Sequence, residues 1–300
     1  MSSPAAPSLA AAPADLAADT RPTRVAAGTY TLDVPRHWDF LLPSGGVVTT
    51  AALRAIEDAI GDPTYRLVST TSLFCEPIQP GPVEIGVDVL RAGSAAVQAR
   101  AHLRAPGAVG LQLTATFARD RSGPDVRGAA PPDVPPPDHC DDLLADDGHN
   151  PHGRIRFFAN FACRLAQGSR MWTPEFTAGP ARHARWFRYL RPQRDASGRL
   201  DRLALPPIAD TMPGAVTQAI GPGSYRFFAP SLDLTLHVVD DTDREWILVA
   251  TYARRARAGY AIGEAELWDD EGRLIGFATQ AMYVRSMTGD PPIVDASRRK

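Results

Sequence analysis

The chain has little of the residues and patterns that mark several common classes of protein. Cysteine occurs three times in 300 residues, at Cys75, Cys140 and Cys163. An odd number of widely spaced cysteines predicts no disulfide framework and favours a reducing cytoplasm. No stretch reaches the roughly 18 consecutive apolar residues typical of a membrane-spanning helix, and no compact run of Lys and Arg accompanies the net charge of −2. We therefore expect neither a membrane nor nucleic acid as a partner.

The N-terminal segment also lacks a targeting signature. It is rich in Ala, Pro and Ser and has no basic residue before Arg21, whereas a secretory signal begins with a positive region and a transit peptide is rich in Arg. Its low content of large apolar residues predicts a disordered tail over residues 1–25, of which about the first 21 are expected to be dispensable for activity. A second short tail is predicted over residues 291–300.

Positive charge is nevertheless concentrated locally, between Arg182 and Arg194 and again at Arg254, Arg255 and Arg257. One interpretation is a solvated surface. The other is a docking patch for an anionic ligand such as a nucleotide phosphate. The sequence leaves both interpretations open.

A Pro-rich stretch with little apolar periodicity divides the chain into two parts. Residues 126–179 are predicted to form a linker and an insert, and residues 131–137 are expected to be mobile. The same stretch carries metal-ligating residue types, but no C-x-x-C or H-E-x-x-H pattern frames them, so we expect no metal site. These residues are His139, Cys140, Asp141, Asp142, His149 and His152.

The two flanking parts share one order of elements. In the first, a helical apolar pattern begins after Ser44 and ends at Gly61, and four strand-like runs follow. In the second, one strand precedes a helical run that begins at Asp210 and ends by Gly221, and four strands follow. The predicted strands are 67–77, 83–89, 97–103 and 110–118, then 184–190, 232–238, 246–252, 260–268 and 274–284, with a hairpin turn at 270–272. This repeated order predicts an α+β fold in which each helix packs against an antiparallel sheet.

One amide interrupts the apolar face of the last predicted strand. At a period of two, Gln280 shares a face with Ala278 and Met282. Burying an amide without partners costs roughly 2–7 kcal/mol, so we expect Gln280 to line a wet cavity, or else to lie at a strand edge or in a register that faces solvent.

Aligning the ends of the last strands of the two parts gives a comparison of their polar residues. This alignment places Thr114 opposite Gln280 and Ser44 opposite Asp210. Only the second part then has a carboxylate and an amide, Asp210 and Gln280, at these two positions. This asymmetry is expected of a duplicated fold with one working site.

Motifs in both parts carry a resemblance to a known family. They are the Gly45–Gly46 start of the first helix, the segment Glu76–Gly81, and Gly259-x-x-x-Gly263–Glu264 followed by Asp270–Leu274 and Gln280. Together they resemble the acyl-CoA thioesterase II family, which folds as a double hotdog, and the resemblance spans residues 26–290. It implies two hotdog units, at 26–125 and 180–290, each with a central helix wrapped by an antiparallel sheet, with the two sheets joined side by side.

The resemblance also implies a catalytic site. In that family an Asp at the second helix, a hydroxyl residue at the start of the following strand and a Gln on the last strand hold the water that attacks the thioester. These positions correspond to Asp210, Ser231 and Gln280. A carboxylate can take the proton of the water while a hydroxyl and an amide fix its position, so no cofactor is expected. The candidate substrate-binding residues are Gly45, Gly46, Trp38 and Phe74.

The implied substrate is a thioester of coenzyme A or of an acyl carrier, and a homo-oligomer is left open. Pro213 predicts that Asp210 lies near a helix N-cap, because proline is tolerated in a first helical turn. Simple capping, worth about 1 kcal/mol, is therefore the alternative to a catalytic role for Asp210. The same helix N-terminus would supply backbone N–H groups for an oxyanion.

The sequence also departs from the family pattern, with Ser231 where threonine is more familiar, Leu234 where histidine follows the strand start, and Ala281 in place of an acidic residue. Two other functions remain open. One is a hotdog hydratase or dehydratase that uses His37 with Glu57, and the other is a non-catalytic protein that binds acyl thioesters. A serine hydrolase of the α/β type is disfavoured because no G-x-S-x-G motif occurs.

Overall fold

Antiparallel strands form one continuous sheet around the central helices. The structure, a computed structural model, describes residues 13–105, 108–145 and 147–299. Within these residues the first half contains α1 (Leu16–Asp19), β1 (Thr23–Ala26), β2 (Thr29–Val34), α2 (Gly45–Ile60), β3 (Arg66–Phe74), β4 (Gly81–Ala92), β5 (Ala96–Ala105) and β6 (Ala108–Ala118).

The second half repeats this order with additions. It contains β7 (Asp141–Asp142), β8 (Phe161–Gln167), β9 (Arg182–Tyr189), α3 (Leu205–Ala209), α4 (Gly214–Ile220), β10 (Arg226–Phe228), β11 (Asp233–Val238), β12 (Ile247–Arg257), β13 (Tyr260–Asp269), β14 (Leu274–Tyr283) and β15 (Arg285–Thr288). The order of strands in the long sheet is β1-β2-β4-β5-β6-β3-β11-β14-β13-β12-β9-β8-β7, and β10 pairs separately with β15. The predicted α+β double hotdog is confirmed.

The first central helix, α2, is apolar on almost every side. Its sequence from Val47 to Ile56 contains one charged residue, Arg54, and most of its side chains in this stretch are buried. A helix without a polar face is typical of one that is surrounded by a sheet. Full burial of a side chain such as Leu53 or Ile56 contributes roughly 1.5–3 kcal/mol. The helix ends where the sequence predicts, because Gly61 adopts the left-handed conformation (φ 67°) of a C-cap.

The second central helix differs from the prediction because it is split into α3 and α4. Pro206 and Pro207 occupy the first turn of α3, where their missing N–H groups cost nothing. Asp210 is therefore the C-cap of α3, five residues after that helix begins, and it lies near the start of α4 without being its N-cap residue. Pro213 precedes α4 as its N-cap residue.

The two halves join where β3 pairs with β11, and the pairing is centred on Thr71 opposite Thr235. Thr71 pairs in turn with Thr114 of β6, and Thr235 pairs with Thr279 of β14. Thr114 therefore corresponds to Thr279, and Ala115 rather than Thr114 corresponds to Gln280. The alignment by strand ends was wrong by one residue, which in a strand reverses the face to which a side chain points.

The N-terminal segment is ordered from residue 13, which contradicts the predicted tail over residues 13–25. Leu16 is fully buried, and the carboxylate of Asp19 accepts the Trp38 indole N–H at 2.9 Å. The hydroxyl of Thr20 accepts a hydrogen bond from Arg54 on α2. One leucine and a few polar anchors therefore suffice to hold this segment to the core, whereas residues 1–12 lie outside the described part of the chain.

The predicted linker and insert, residues 126–179, also contribute to the fold. Strand β8 pairs with β9 and extends the sheet of the second half. In the Pro-rich stretch, Pro137 is buried and the Pro135 carbonyl accepts a hydrogen bond from Trp186 at 2.9 Å. Among residues 131–137 only Pro137 is buried, so these two contacts tie the stretch to the sheet, and its mobility stays a prediction. Residues 291–299 are mostly exposed, and none of the described helices is both long and apolar enough to span a membrane.

Candidate active site

Three side chains of the second half meet around one carboxylate. The Oδ1 atom of Asp210 accepts hydrogen bonds from Ser231 Oγ at 2.8 Å and from Gln280 Nε2 at 2.5 Å. Its other oxygen, Oδ2, accepts the backbone N–H of Gly46 at 2.9 Å. The three predicted catalytic residues therefore share one set of hydrogen bonds, and the first half contributes a fourth member.

Each of the three side chains is held by a different element. Asp210 follows the last turn of α3. Ser231 lies just before β11 and forms an isolated β-bridge with Met282 of β14. Asp233, the first residue of β11, also holds the two strands together, because its carboxylate accepts the Ala281 N–H at 2.7 Å. Gln280 of β14 is 1% exposed, and its side chain lies on the inner face of the sheet, which packs against the helices, as the alternation of the strand predicts.

Two glycines allow α2 to approach Asp210. A Cβ atom on Gly46 would lie 2.3 Å from the Pro206 carbonyl oxygen, so the backbones of α2 and α3 meet at this residue. A Cβ atom on Gly45 would lie 2.8 Å from Asp210 Oδ2 and 2.8 Å from the ring of Phe74. The Gly45–Gly46 pair is therefore required by the close contact between the two halves rather than by an unusual backbone conformation.

Burial dominates the electrostatics of the carboxylate. Loss of solvent raises the pKa of Asp210 above its usual value, while the hydrogen bonds from Ser231, Gln280 and Gly46 act in the opposite direction. The N-terminus of α2 also favours a negative charge. The net effect is a raised pKa, so the Asp210 carboxylate is more basic than an exposed aspartate.

One buried acceptor in this group has no partner. A carboxylate only accepts hydrogen bonds, so the amide of Gln280 must direct its NH₂ group towards Asp210. The Gln280 Oε1 atom is then buried without a hydrogen-bond donor among the described residues. Leaving a buried acceptor unpaired costs about 1–3 kcal/mol, which fits a site that receives a donor such as a water O–H.

Ser44, the N-cap residue of α2, is a second buried polar group beside Asp210. Its Oγ atom forms no hydrogen bond of good geometry within the described structure, although the hydroxyl still acts to lower the pKa of Asp210. Ser44 and Asp210, which the sequence alignment placed at corresponding positions of the two halves, thus lie in the same site.

The structure brings three of the four predicted substrate-binding residues to Asp210. Gly45, Gly46 and the ring of Phe74 lie against the carboxylate. Trp38 does not: its side chain is fully buried in the core, 6.1 Å from the ring of Phe161. The structure therefore corrects the prediction for Trp38.

The residues proposed for a hydratase are not brought together in the described structure. His37 is largely exposed and lies 3.4 Å from Asp19. Glu57 lies on α2 at 3.8 Å from Arg54. Neither residue contacts the group around Asp210.

The helix that Asp210 caps is not the one that the sequence predicted. Capping was expected at the helix that follows Asp210, but the carboxylate caps α2, whose Gly46 is 164 residues away in the sequence. The signal for a helix beginning at Gly45 was present, but nothing in the sequence indicates which carboxylate reaches it.

The continuous sheet, the two central helix positions and the polar group between them define a double hotdog protein. Comparison with protein-family models matches residues 34–118 to the acyl-CoA thioesterase N-terminal domain and residues 137–284 to the acyl-CoA thioesterase C-terminal domain. The chain belongs to the acyl-CoA thioesterase family, a family of thioester hydrolases. No curated protein matches the sequence.

Solved structures show the same fold at low sequence identity. A conserved protein of unknown function with a hotdog fold from Alicyclobacillus acidocaldarius is 21% identical, with a TM-score of 0.76, over 93% of this chain and 98% of that chain. An acyl-CoA thioesterase II from Mycobacterium marinum is 20% identical, with a TM-score of 0.71, over 92% of this chain and 100% of that chain. A tesB protein from Mycobacterium avium subspecies paratuberculosis is 17% identical, with a TM-score of 0.70, over 92% and 98%.

Proposed function

We propose that this chain hydrolyses an acyl-CoA thioester by direct attack of water, with Asp210 as the general base. The observation that carries the proposal is the partly buried Asp210 carboxylate, which is held by Ser231, Gln280 and the Gly46 N–H. It lies beside the Oε1 atom of Gln280, which has no hydrogen-bond partner among the described residues. Family membership supports the thioester substrate, and the geometry supports these residues as the catalytic group.

In this mechanism one water molecule donates one hydrogen bond to Asp210 and the other to Gln280 Oε1. As the water oxygen attacks the thioester carbonyl carbon, its proton moves to the Asp210 carboxylate, and a tetrahedral intermediate with a negative oxygen forms. The carbon–sulfur bond then breaks, and the leaving thiolate takes the proton from Asp210. The products are a carboxylic acid and the free thiol of coenzyme A, and Asp210 is regenerated.

The N-terminus of α2 is the group proposed to stabilise the negative oxygen. The first N–H groups of a helix have no partner inside the helix, and they carry a partial positive charge. Gly45, the first residue of α2, is partly exposed beside Asp210. Donors of this kind commonly contribute about 2.7–4 kcal/mol to the barrier reduction in acyl transfer.

The test is a panel of acyl-CoA substrates of short to long chain, with and without a double bond next to the thioester carbonyl. Free thiol is followed with a thiol-reactive dye, and hydrated product is followed by chromatography. We expect thiol release by the wild-type chain and little release by Asp210→Asn. Release of a hydrated acyl-CoA instead of a thiol would indicate a hydratase. Binding of acyl-CoA without turnover on any substrate would indicate a non-catalytic protein, and equal turnover by Asp210→Asn would exclude Asp210 as the base.

A further inference from the structure

Strand β9 places one arginine inside the molecule, unlike the other arginines of the local basic run. Arg185 is 7% exposed, whereas Arg188, Arg191 and Arg194 lie nearer the surface beside acidic residues. The interpretation of this run as a solvated surface therefore holds for its outer members and fails for Arg185.

The buried guanidinium of Arg185 has no acidic partner within the described residues. Its nitrogen donates to the Thr211 carbonyl oxygen at 2.8 Å, and its carbon lies 5.9 Å and 5.4 Å from the ring centres of Phe158 and Phe187. A guanidinium carries five N–H donors. Burying an ion without a counter-charge is strongly unfavourable even after relaxation of the surroundings. The interactions with two aromatic faces offset only part of this cost.

The other titratable groups around Arg185 carry no negative charge to offset it. The thiol of Cys163 has a pKa of about 12 because of burial and is protonated. His183 and His152 are neutral at neutral pH, because burial and the charge of Arg185 lower their pKa values, that of His152 to about 3. The Nδ1 atoms of both histidines are buried without a hydrogen-bond partner within the described structure.

This buried basic cluster, Arg185 with His183 and His152, adjoins the proposed active site. Arg185 donates to the carbonyl of Thr211, the residue that follows Asp210. His183 lies on the same inward face of β9, and a Cβ atom on Gly214, the first residue of α4, would be 3.2 Å from its Nδ1. The cluster therefore lies under the start of α4, inside the hotdog whose helix position carries the catalytic carboxylate.

We propose that Arg185 binds a carboxylate at the far end of the acyl group, so that the preferred substrates are thioesters of short dicarboxylic acids. A carboxylate matches the planar fork of a guanidinium and supplies the missing counter-charge. A neutral histidine can donate one further hydrogen bond to it. The interior position favours the acyl end of the substrate, because the bulky and highly charged nucleotide of coenzyme A would remain at the surface. This inference rests on the proposed hydrolysis and specifies its substrate class.

The test compares acyl-CoA substrates of equal chain length with and without a terminal carboxylate. For the wild-type chain we expect kcat/KM for glutaryl-CoA to exceed that for pentanoyl-CoA, and the same order for adipyl-CoA and hexanoyl-CoA. Arg185→Gln keeps a donor for the Thr211 carbonyl but removes the charge, and we expect it to lower the glutaryl-to-pentanoyl ratio by roughly 10²-fold, as for loss of a buried charged partner. Arg185→Met provides a second variant if Arg185→Gln does not fold.

Arg188→Gln is the matched control, because Arg188 lies on the same strand but is partly exposed beside Glu245. It is expected to leave the ratio unchanged. A wild-type preference for pentanoyl-CoA, or an equal fall for both substrates in Arg185→Gln, would overturn the inference.

If no acyl-CoA is hydrolysed, the proposed function fails and binding alone decides this inference. Calorimetry would then compare the affinity of glutaryl-CoA and pentanoyl-CoA for the wild-type chain and Arg185→Gln. Loss of the glutaryl preference in the variant would uphold the role of Arg185, and equal affinities in the wild-type chain would overturn it.

Discussion

The two halves of the molecule use the same arrangement of strands for different purposes. In the first half, β6 presents Ala115 to the interior, and its neighbour on β5 is Ala99. At the corresponding place in the second half, β14 presents Gln280 beside Gly263 of β13. One half thus packs alkyl groups where the other holds a buried amide whose oxygen has no hydrogen-bond partner in the described part of the chain.

The helix beginnings differ in the same sense. The first half has Ser44 before α2, and the second has Asp210 before α4. Both halves nevertheless contribute to the candidate site, since the α2 N-terminus and Phe74 come from the first half and the Asp210 carboxylate comes from the second. Both halves are therefore needed to build the candidate site at their junction.

The largest expected effect comes from removing the proposed base, Asp210, which belongs to the second half. Asp210→Asn is expected to lower thioester hydrolysis by roughly 10²- to 10⁴-fold. The variant can fold, because its Oδ1 can accept from Gly46 while its NH₂ group donates to Ser231 Oγ and to a rotated Gln280 amide. Steady-state kinetics and thermal unfolding together test this. An unfolded variant would show that the carboxylate is needed for structure, and unchanged turnover would move the chemistry away from Asp210.

The contribution of the first half is tested at Gly45. In Gly45→Ala the new Cβ would lie 2.8 Å from both Asp210 Oδ2 and the Phe74 ring, so the carboxylate or the ring must move. Misplacement of a catalytic group by about 1 Å can reduce the rate on the order of 10²-fold. Gly153→Ala is the matched control, because a Cβ at Gly153 has no neighbour within 4 Å. Equal kcat values for Gly45→Ala and this control would show that the site tolerates the displacement.

Gln280→Ala gives β14 the residue that β6 has at the corresponding position, Ala115. A hydrogen bond to a charged group contributes about 1.5–3 kcal/mol, so turnover is expected to fall roughly 10- to 10²-fold. Because the Gln280 hydrogen bond lowers the pKa of Asp210, the acid limb of the pH–rate profile is also expected to move to higher pH. Thr114→Ala, at the exposed face of β6, is the control and is expected to behave as wild type. An unchanged pH–rate profile would show that Gln280 does not influence the pKa of Asp210.

A smaller effect is expected for the hydroxyl. Ser231→Ala removes one hydrogen bond to the Asp210 carboxylate. Because Ser231 is partly exposed, water can replace part of this bond, and a decrease of up to about tenfold in kcat is expected. Ser231→Thr retains the hydroxyl and is expected to recover most of the activity. If the threonine variant is as slow as the alanine variant, packing rather than hydrogen bonding explains the loss.

The smallest expected effect is a pH-dependent difference in stability between wild type and Asp210→Asn. Burial raises the pKa of Asp210 in the folded state, so the folded chain holds this proton more tightly than the unfolded chain. The contribution of Asp210 to stability is then fully present below its unfolded pKa of about 3.9 and is lost as the pH rises through the folded pKa. Activity runs in the opposite direction, because the base must be ionised. Chemical denaturation of both proteins between acid and neutral pH tests this, and a constant difference in the free energy of unfolding would contradict the raised pKa.

Much of the fold was predictable because its signals are local. The apolar pattern that begins after Ser44 and the left-handed conformation required at Gly61 define α2, and alternation along residues 274–284 predicts both β14 and the inward direction of Gln280. The failures occurred where local signals were weak or in competition. Pro206 and Pro207 begin a helical turn that hydrophobic spacing did not reveal. The segment around Leu16 is held by one buried leucine and by the hydrogen bonds of Asp19 and Thr20.

The sequence by itself determined the types of element, the α+β fold and, through its resemblance to a family, the identity of Asp210, Ser231 and Gln280 as the polar residues of the site. Only the tertiary structure decided that Asp210 caps α2 of the other half and that Trp38 belongs to the core. It also decided that Arg185 is buried without a counter-ion among the described residues. The physical reason is that helix spacing and strand alternation depend on neighbours within a few residues. Burial and hydrogen-bond partnership, in contrast, depend on which distant segments the closed sheet brings together.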